Sequence, residues 1–329
     1  HQGVGGDCGF VPHGLVVTVD TGPGNENNID LLRRNVALQR QLGIDTQVVT
    51  RSDLEVLQPF GCFDDIAVAA FEPSSGYVDA IAATRAMAFA ALREGARLFE
   101  GTAATRIEAN DSQVTAVITA AGRIESPLVV IATGPWSTTL LASVGVRVPI
   151  KALRVQVAIV QRPQSLTQDH FAFVDTAAGM FCRPWGPGRS LIGVGGGEQH
   201  DEVDADRFER RNDVDYPDLA IRAAARRFPA MTGAAFLHGH AGLYDMTPDA
   251  HPIIGPCGPD GLYLAAGFCG AGFKKGPAVG QCLSEEILDG KSSTVDLSPF
   301  RLSRFDDDGW RQPWSNTEYI LSSDFGHNL

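Results

Sequence analysis

No stretch of the 329-residue chain approaches the roughly 18 consecutive apolar residues of a membrane-spanning helix. The first twenty residues also lack the basic and apolar regions of a secretory leader, so a soluble, cytoplasmic protein is expected. Cysteine is sparse and scattered. Cys8, Cys62, Cys182, Cys257, Cys269 and Cys282 form no C-x-x-C pair, which argues against a zinc knuckle and against a disulfide framework. The H-x-H spacing of His238 and His240 could set two imidazoles on one strand face, but no Cys or acidic ligand accompanies them, and no metal site is expected. Positive charge is short too. Lys and Arg number 27 against 39 Asp and Glu, for a net charge of −12. With no basic stripe to offset that balance, a nucleic-acid partner is not expected.

What remains is an ordinary globular composition, 44% hydrophobic and 20% charged. The length suits two domains, or one large one, with room for a binding cleft.

The pattern of residues alternates along the chain. Gly9 to Val19 reads as one or two strands around a turn at Pro12 to Gly14. Asn28 to Leu42 carries Leu31, Leu32, Val36, Leu38 and Leu42 at helical spacing, with Gly43 as the stop. Ser52 and Glu55 make a capping box for a short helix ending near Leu57. Asp79 can cap a long helix, Ala80 to Glu94, whose alanines permit close packing. Strands follow at Thr102 to Glu108 and Gln113 to Thr119, then an unbroken apolar strand, Leu128 to Ala132, expected at the centre of a parallel sheet. Leu153 to Val160, Phe171 to Val174, Met180 to Arg183 and Leu191 to Val194 read as an antiparallel sheet. Next come a helix at Tyr216 to Phe228, strands at Ala234 to Tyr244 and Gly261 to Ala266, and a helix at Pro277 to Leu288. The tail after Phe305 is acidic, then polar, and is expected outside the core. This alternation of α/β and β-rich segments suggests two interwoven domains.

Two strand-to-helix junctions carry the chemistry. In the first, Val129 to Ser137, a buried strand ends at Ala132-Thr133-Gly134-Pro135-Trp136, small enough for a backbone to approach a ligand at the carboxyl end of a sheet. A tight turn that merely needs glycine explains it equally well. In the second, Ala265 to Pro277, three glycines in Gly267-Phe268-Cys269-Gly270-Ala271-Gly272 precede Phe273 and Lys274 at a helix start, which favours an anionic group. A surface loop with solvated lysines is the plainer alternative, though glycines after an apolar strand weigh against it.

Residues 242–305, with Tyr244-Asp245-Met246-Thr247-Pro248-Asp249, Pro252 to Gly255 and the glycine junction, resemble the C-terminal end of the D-amino-acid oxidase superfamily, within it the monomeric sarcosine oxidase-like branch. Gly76-Tyr77-Val78-Asp79 and the Ala132 to Ser137 turn resemble that family's middle motifs, and the likeness covers about residues 8–305. It implies an FAD/NAD(P)-binding Rossmann-like α/β (α+β) domain interwoven with an antiparallel-sheet substrate domain. Residues 1–76 and 151–245 would form the substrate domain, 77–150 and 246–305 the FAD-binding domain, and 306–329 a tail. It further implies FAD contacts at Ala132, Gly134, Trp136, Gly267, Phe268, Gly270, Gly272 and Phe273. Lys274 would pair with a substrate carboxylate and also lie against the cofactor, and Tyr244 would stand on the substrate side of the flavin. The reaction implied is oxidation of the C–N bond of a small amine or amino acid, with O2 or an electron carrier as acceptor.

Three departures from the family pattern qualify that expectation. No G-x-G-x-x-G turn opens a helix anywhere in the sequence; Gly193 to Gly197 follows a strand but opens none. The dinucleotide-binding domain therefore reads as incomplete at the N-terminus, and a second chain could supply the segment. Gly242 stands where the sarcosine oxidases carry a flavin-linked cysteine, so non-covalent FAD is expected. No lysine lies between Lys151 and Lys274, where those oxidases keep one for the reaction with oxygen. A carrier-linked dehydrogenase and a flavin-free binding subunit are the rival readings.

Overall fold

A computed structural model describes residue 5 and residues 7–195 and 202–306. The expected tail from residue 307 onward, and the Gly196 and Gly197 end of the rejected glycine run, lie outside the described residues. In chain order, β1 (Val11–Pro12) and β2 (Leu15–Asp20) precede α1 (Glu26–Gln41), β3 (Gln47–Val49), α2 (Arg51–Leu57), β4 (Ile66–Glu72), β5 (Gly76–Tyr77) and α3 (Ala80–Arg93). There follow β6 (Ala104–Ala109), β7 (Val114–Thr119), β8 (Gly122–Glu125), β9 (Val129–Ile131) and α4 (Ser137–Ala142). Then come β10 (Lys151–Gln161), β11 (Ala172–Asp175), β12 (Met180–Pro184), β13 (Arg189–Val194), α5 (Tyr216–Arg227) and β14 (Ala235–Met246). The last elements introduced are β15 (Ile253–Pro256), β16 (Leu262–Ala266) and α6 (Gly272–Asp289).

The fold is mixed α/β. An eight-stranded sheet runs in the order β14-β10-β13-β12-β11-β2-β4-β3, all neighbours antiparallel except the parallel pair β11 and β2. A three-stranded sheet, β15-β16-β9, holds the second parallel pair, with Leu264 opposite Ile131. A meander, β6-β7-β8, and a two-stranded ribbon, β1-β5, complete the sheets among the described residues. None of their helices is long and apolar enough to cross a membrane.

Period-2 alternation gives the large sheet two different faces. Val16, Ala158, Phe173, Cys182 and Ile192 point to one side, where Tyr216, Ala220, Ala224 and Phe228 of α5 and its C-terminal flank close over them as the principal core. Arg227 at the end of α5 is completely buried there, and its Nε donates to Asp175 Oδ2 at 2.6 Å. Its Nη2 reaches Asp65 at 3.0 Å. A buried guanidinium is tolerable because these carboxylates accompany it. The opposite face, with Phe181, Arg183, Gly242 and Tyr244, is left for the site.

Several expectations are corrected. The capping box of α2 uses Thr50 and Asp53, not Ser52 and Glu55: the Asp53 N–H donates to Thr50 Oγ1, and the Thr50 N–H to Asp53 Oδ2. Ser52 and Glu55 lie inside the helix, two residues too late to cap it. Asp79 does cap α3 by accepting the Ala82 N–H at 2.8 Å. The alanines of α3, however, are at most half-buried, as at Ala82, Ala83, Ala86, Ala88 and Ala90, and no residue of that helix is fully buried among the described residues. β9 is an edge strand there, paired only with β16, rather than the centre of its sheet. Strands β3, β4, β5, β8 and β15 depart from the sequence reading, which has no strand at any of them. Finally, α6 starts at Gly272, so Pro277 lies inside it and both lysines sit in its first turns.

Candidate active site

The site is assembled where β14 leaves the large sheet and β16 leaves the small one. Leu153 faces Tyr244 and Val155 faces Gly242 across β10 and β14. Their neighbours Arg154 and Gln156 point the other way, to Asp213. Tyr244 and Gly242 therefore share the face turned away from α5. After β16 the chain passes through Gly267 and Gly270, both left-handed at φ +75° and +79°. A Cβ at Gly270 would lie 2.6 Å from the Tyr244 ring, and one at Gly267 would lie 2.5 Å from the Thr247 methyl. Only glycine lets this main chain lie flat against the tyrosine.

Asp245 ties the two sheets together. Its carboxylate accepts the Gly267 N–H at 2.6 Å, and its carbonyl accepts the Cys269 N–H at 3.1 Å. A Cβ on Gly134, at the end of the first junction, would have Asp245 Oδ2 as its nearest neighbour at 3.9 Å. Both glycine junctions thus meet at one carboxylate. Sequence reasoning quoted Asp245 in a motif without giving it a role; an acid directly after the strand tyrosine was the available signal. Asp249 was missed too. It is buried, accepts from Thr247, and pairs with Arg304 at 2.7 Å, which fixes the turn below the site. Hydrogen bonds and the Arg304 charge hold its carboxyl below the ordinary range despite the opposing effect of burial.

The start of α6 supplies charge. Its N-cap, Ala271, makes no side-chain cap bond, and the first turn carries no acid, so the helix supplies no side-chain acceptor of its own for its leading amides. Pro277 has no N–H to offer the Phe273 carbonyl one turn back. Burial, and then the neighbouring Lys275 charge, hold the Lys274 ammonium below the ordinary lysine value of 10.5. Burial also lowers Lys275. Burial raises the Tyr244 phenol, which therefore stays protonated across the physiological range. Cys269, at a positive φ of 53°, donates its thiol to the Gly267 carbonyl, and burial pushes that thiol up as well. It is a protonated thiol, not a nucleophile.

The expected contact residues behave differently from one another. Gly134 and Gly267 meet at Asp245 and Gly270 lies against Tyr244, while the Gly272-Phe273-Lys274 turn follows this loop in the chain. Ala132 is exposed at the end of β9. The Trp136 ring is 43% exposed, and its Nε1 donates to Asp206 at 2.7 Å; Phe273 is 53% exposed. Phe268 instead packs its ring among Ile254, Leu283 and Leu297, which leaves only its main chain for a ligand. A main-chain cradle, free helix amides, exposed aromatic rings and open space at Gly242 and Gly276, where a Cβ would touch nothing within 4 Å, fit a flat heterocycle with polar edges.

Paired strands ending in glycine turns, set against an antiparallel sheet that presents a tyrosine, define a dinucleotide-fold flavoenzyme. The chain belongs to the DAO family of FAD-dependent oxidoreductases, whose model matches residues 2–286, and its cofactor is FAD. It is 28% identical over 300 residues to glycine oxidase of Geobacillus kaustophilus, with 91% of this chain and 75% of that protein covered. It is 26% identical over 309 residues to mitochondrial sarcosine dehydrogenase of Mus musculus, covering 90% of this chain but 33% of that protein. The crystal structure of L-proline dehydrogenase from P. horikoshii superposes with a TM-score of 0.80 at 24% identity, over 93% of this chain and 79% of that one, which establishes the fold.

Gly270→Ala tests the cradle. The added Cβ meets the Tyr244 ring and a left-handed backbone, a strain of about 1–3 kcal/mol. The flavin content of the purified protein is expected to fall, with FAD binding weakened roughly ten- to hundredfold. Unchanged flavin content and affinity would show that the loop does not touch the ring.

Proposed function

We propose that the enzyme oxidises the C–N bond of a small amine or amino acid, of the sarcosine, N-methyl or D-amino-acid type. The observation that carries this reading is the Lys274 ammonium in the first turn of α6, beside the loop that packs on Tyr244. A cation at the positive end of a helix opposes the macrodipole, and an anionic visitor relieves both. FAD, when bound, supplies the acceptor for the hydride lost from the C–H beside the nitrogen; water then hydrolyses the imine that remains. Lys274 holds the substrate carboxylate. Tyr244, as a neutral phenol, forms a wall of the substrate space and can donate a hydrogen bond. The α6 amides favour negative charge at the ligand edge that faces them. No side chain need act as a strong base. Relatives named glycine oxidase and peroxisomal sarcosine oxidase support this substrate class.

The acceptor of the electrons divides two readings. An oxidase would pass them to O2, whereas the absence of lysine between Lys151 and Lys274 favours a carrier-linked dehydrogenase. Reoxidation of the reduced protein in air within seconds would support the oxidase; persistence for minutes would support the dehydrogenase.

A further element belongs to this proposal. Ile81, Met87, Phe89 and Leu92 of α3 are all exposed, as are Leu98, Phe99, and Leu128 and Val130 at the open edge of β9. Exposed apolar side chains in such number, with β9 unpaired on one side among the described residues, call for a cover. A strand and helix of the dinucleotide-binding type, carrying the glycine turn absent from this sequence, fits that surface and would complete the ADP site. Whether it is a second chain or another segment, this chain on its own is expected to bind FAD more weakly than about 1 µM in calorimetric titration. Sub-micromolar binding would refute the need for a cover.

Lys274→Met should remove a charge-assisted contact of roughly 1.5–3 kcal/mol, an approximately 10- to 150-fold loss in the affinity of carboxylate-bearing amines and simple carboxylate inhibitors. Flavin content should hold, and amines without a carboxylate should lose much less. The ammonium binds carboxylate only while protonated, so binding should be full at neutral pH and fade as pH rises through a value below 10.5, a limb that the methionine variant lacks. A larger effect of Lys275→Met would move the assignment by one position, and no effect of either would reject the carboxylate contact. With no thiol at Gly242, acid should release the flavin; yellow colour retained by the denatured protein would instead implicate Cys269.

A further inference from the structure

Asp245 uses only one of its two carboxylate oxygens. Oδ2 accepts the Gly267 N–H at 2.6 Å, whereas Oδ1 accepts from no group among the described residues. No cationic side chain among them pairs with this carboxylate either, unlike the nearby Asp249, which has Arg304. The residue is half-buried, so it is neither solvated like a surface acid nor enclosed like Asp249. A carboxylate in that position, with one oxygen open and no counter-charge, is an acceptor for a donor that arrives with a ligand.

The register of the small sheet says which part of a dinucleotide passes this point. Leu264 of β16 is level with Ile131 of β9 in the parallel pair, and three residues beyond them stand Gly267 and Gly134, left-handed at φ +75° and +52°. Both glycines thus lie at the carboxyl end of the pair, where dinucleotides cross parallel sheets. Asp245 Oδ2 is beside each of them, hydrogen-bonded to Gly267 and 3.9 Å from the place of a Gly134 Cβ. Gly270 lies instead against the Tyr244 ring. Tyr244 and Asp245 are neighbours on β14 and point to opposite sides of it, so the loop from Gly267 to Gly270 passes over the end of that strand. A flavin ring at Gly270 and Tyr244, with its phosphates toward the open edge of β9 where the cover would bring the glycine turn, has Asp245 between the two. The part of FAD between ring and phosphates is the ribityl chain, a polyol whose hydroxyls are donors. Phosphate oxygens would be repelled by this carboxylate; a sugar hydroxyl is attracted, as when an acid takes a ribose hydroxyl in dinucleotide enzymes.

Building on the placement of the cofactor in the glycine cradle, we infer that Asp245 binds a ribityl hydroxyl of FAD through its free Oδ1. One side chain then positions both partners: Oδ2 fixes the glycine loop, and Oδ1 fixes the cofactor against it.

Calorimetric titration of this chain with FAD and with FAD analogues that each lack one ribityl hydroxyl tests this without relying on turnover. The wild type should bind at least one analogue about ten- to a hundredfold more weakly than FAD, the loss of one charge-assisted bond. Asp245→Ala should weaken FAD by at least that factor and bind the same analogue as tightly as it binds FAD. Asp245→Asn, which keeps an oxygen for the Gly267 N–H, should hold its thermal midpoint near that of the wild type and discriminate less than the wild type does. If the wild type binds every analogue as tightly as FAD, or if Asp245→Ala still discriminates against the weakened analogue, the inference is overturned. Gly270→Ala keeps the two readings apart: unchanged FAD affinity in that variant rejects the cradle itself, whereas weakened FAD binding together with no discrimination among the analogues leaves the cradle standing and rejects only the Asp245 contact. Thermal midpoints separate lost binding from lost folding, and Asp245→Asn carries the test should the alanine variant not fold.

Discussion

The carboxylate of Asp245 receives the Gly267 N–H at 2.6 Å, and its carbonyl receives that of Cys269 at 3.1 Å. Two sheets with separate cores, one closed by α5 and the other built around Ile131, Leu262 and Leu264, are held in register at this point. Everything that follows in the chain inherits the constraint. The loop that begins at Gly267 must cross the Tyr244 ring, which forces glycine at position 270 and directs the start of α6 back toward the same face. Without the Asp245 tie, Tyr244 in the large sheet and the loop leading to Lys274 would be held together only by the packing of Gly267 on Thr247 and of Gly270 on the tyrosine ring, and by the contact of Thr247 with Cys269.

The charges placed by that constraint are locally unfavourable. Two adjacent lysines stand at the positive end of a helix whose first turn contains no acid, and burial together with their mutual repulsion depresses Lys274. Cys269 adds a non-glycine residue in the left-handed region. Features that work against folding persist where a ligand compensates for them, and their concentration in one loop supports the proposed anion-binding role of this junction over a solvated surface loop.

The glycine junctions, the long β-rich segment and α5 were legible because each is written in local chemistry: glycine at left-handed positions, alternation along strands, apolar spacing on a helix. What was not legible depended on distant partners. Strand β4 follows a loop rich in polar and small residues, and its place is set by pairing with β2 and β3 on either side. The α2 cap shifted by two residues because Thr50 with Asp53 and Ser52 with Glu55 satisfy the same pattern, and only Thr50 stands at the N-cap, just outside the helix. Pro277 looked like a helix start because proline favours the first turn, but the amides ahead of it were already helical. An acid directly after the strand tyrosine marks Asp245 in the sequence, but the role itself is not local, because its partner amide lies 22 residues away.

The same strands serve stability and chemistry at once, divided by a period of two. On β10, Arg154 and Gln156 point toward Asp213 and the α5 layer, while Leu153 and Val155 back Tyr244 and Gly242. On β12, Met180 and Cys182 fill the core, while Phe181 and Arg183 point to the opposite face. Since a one-residue slip would exchange these faces, the buried polar contacts of the α5 side also hold the register of the functional side. Arg227 with Asp175 anchors β11 at the centre of the sheet, and Arg154 with Asp213 anchors β10 near the edge that carries Tyr244. Ion pairs that would be a doubtful source of net stability by themselves thus gain a clearer purpose: they set which side chains meet the ligand.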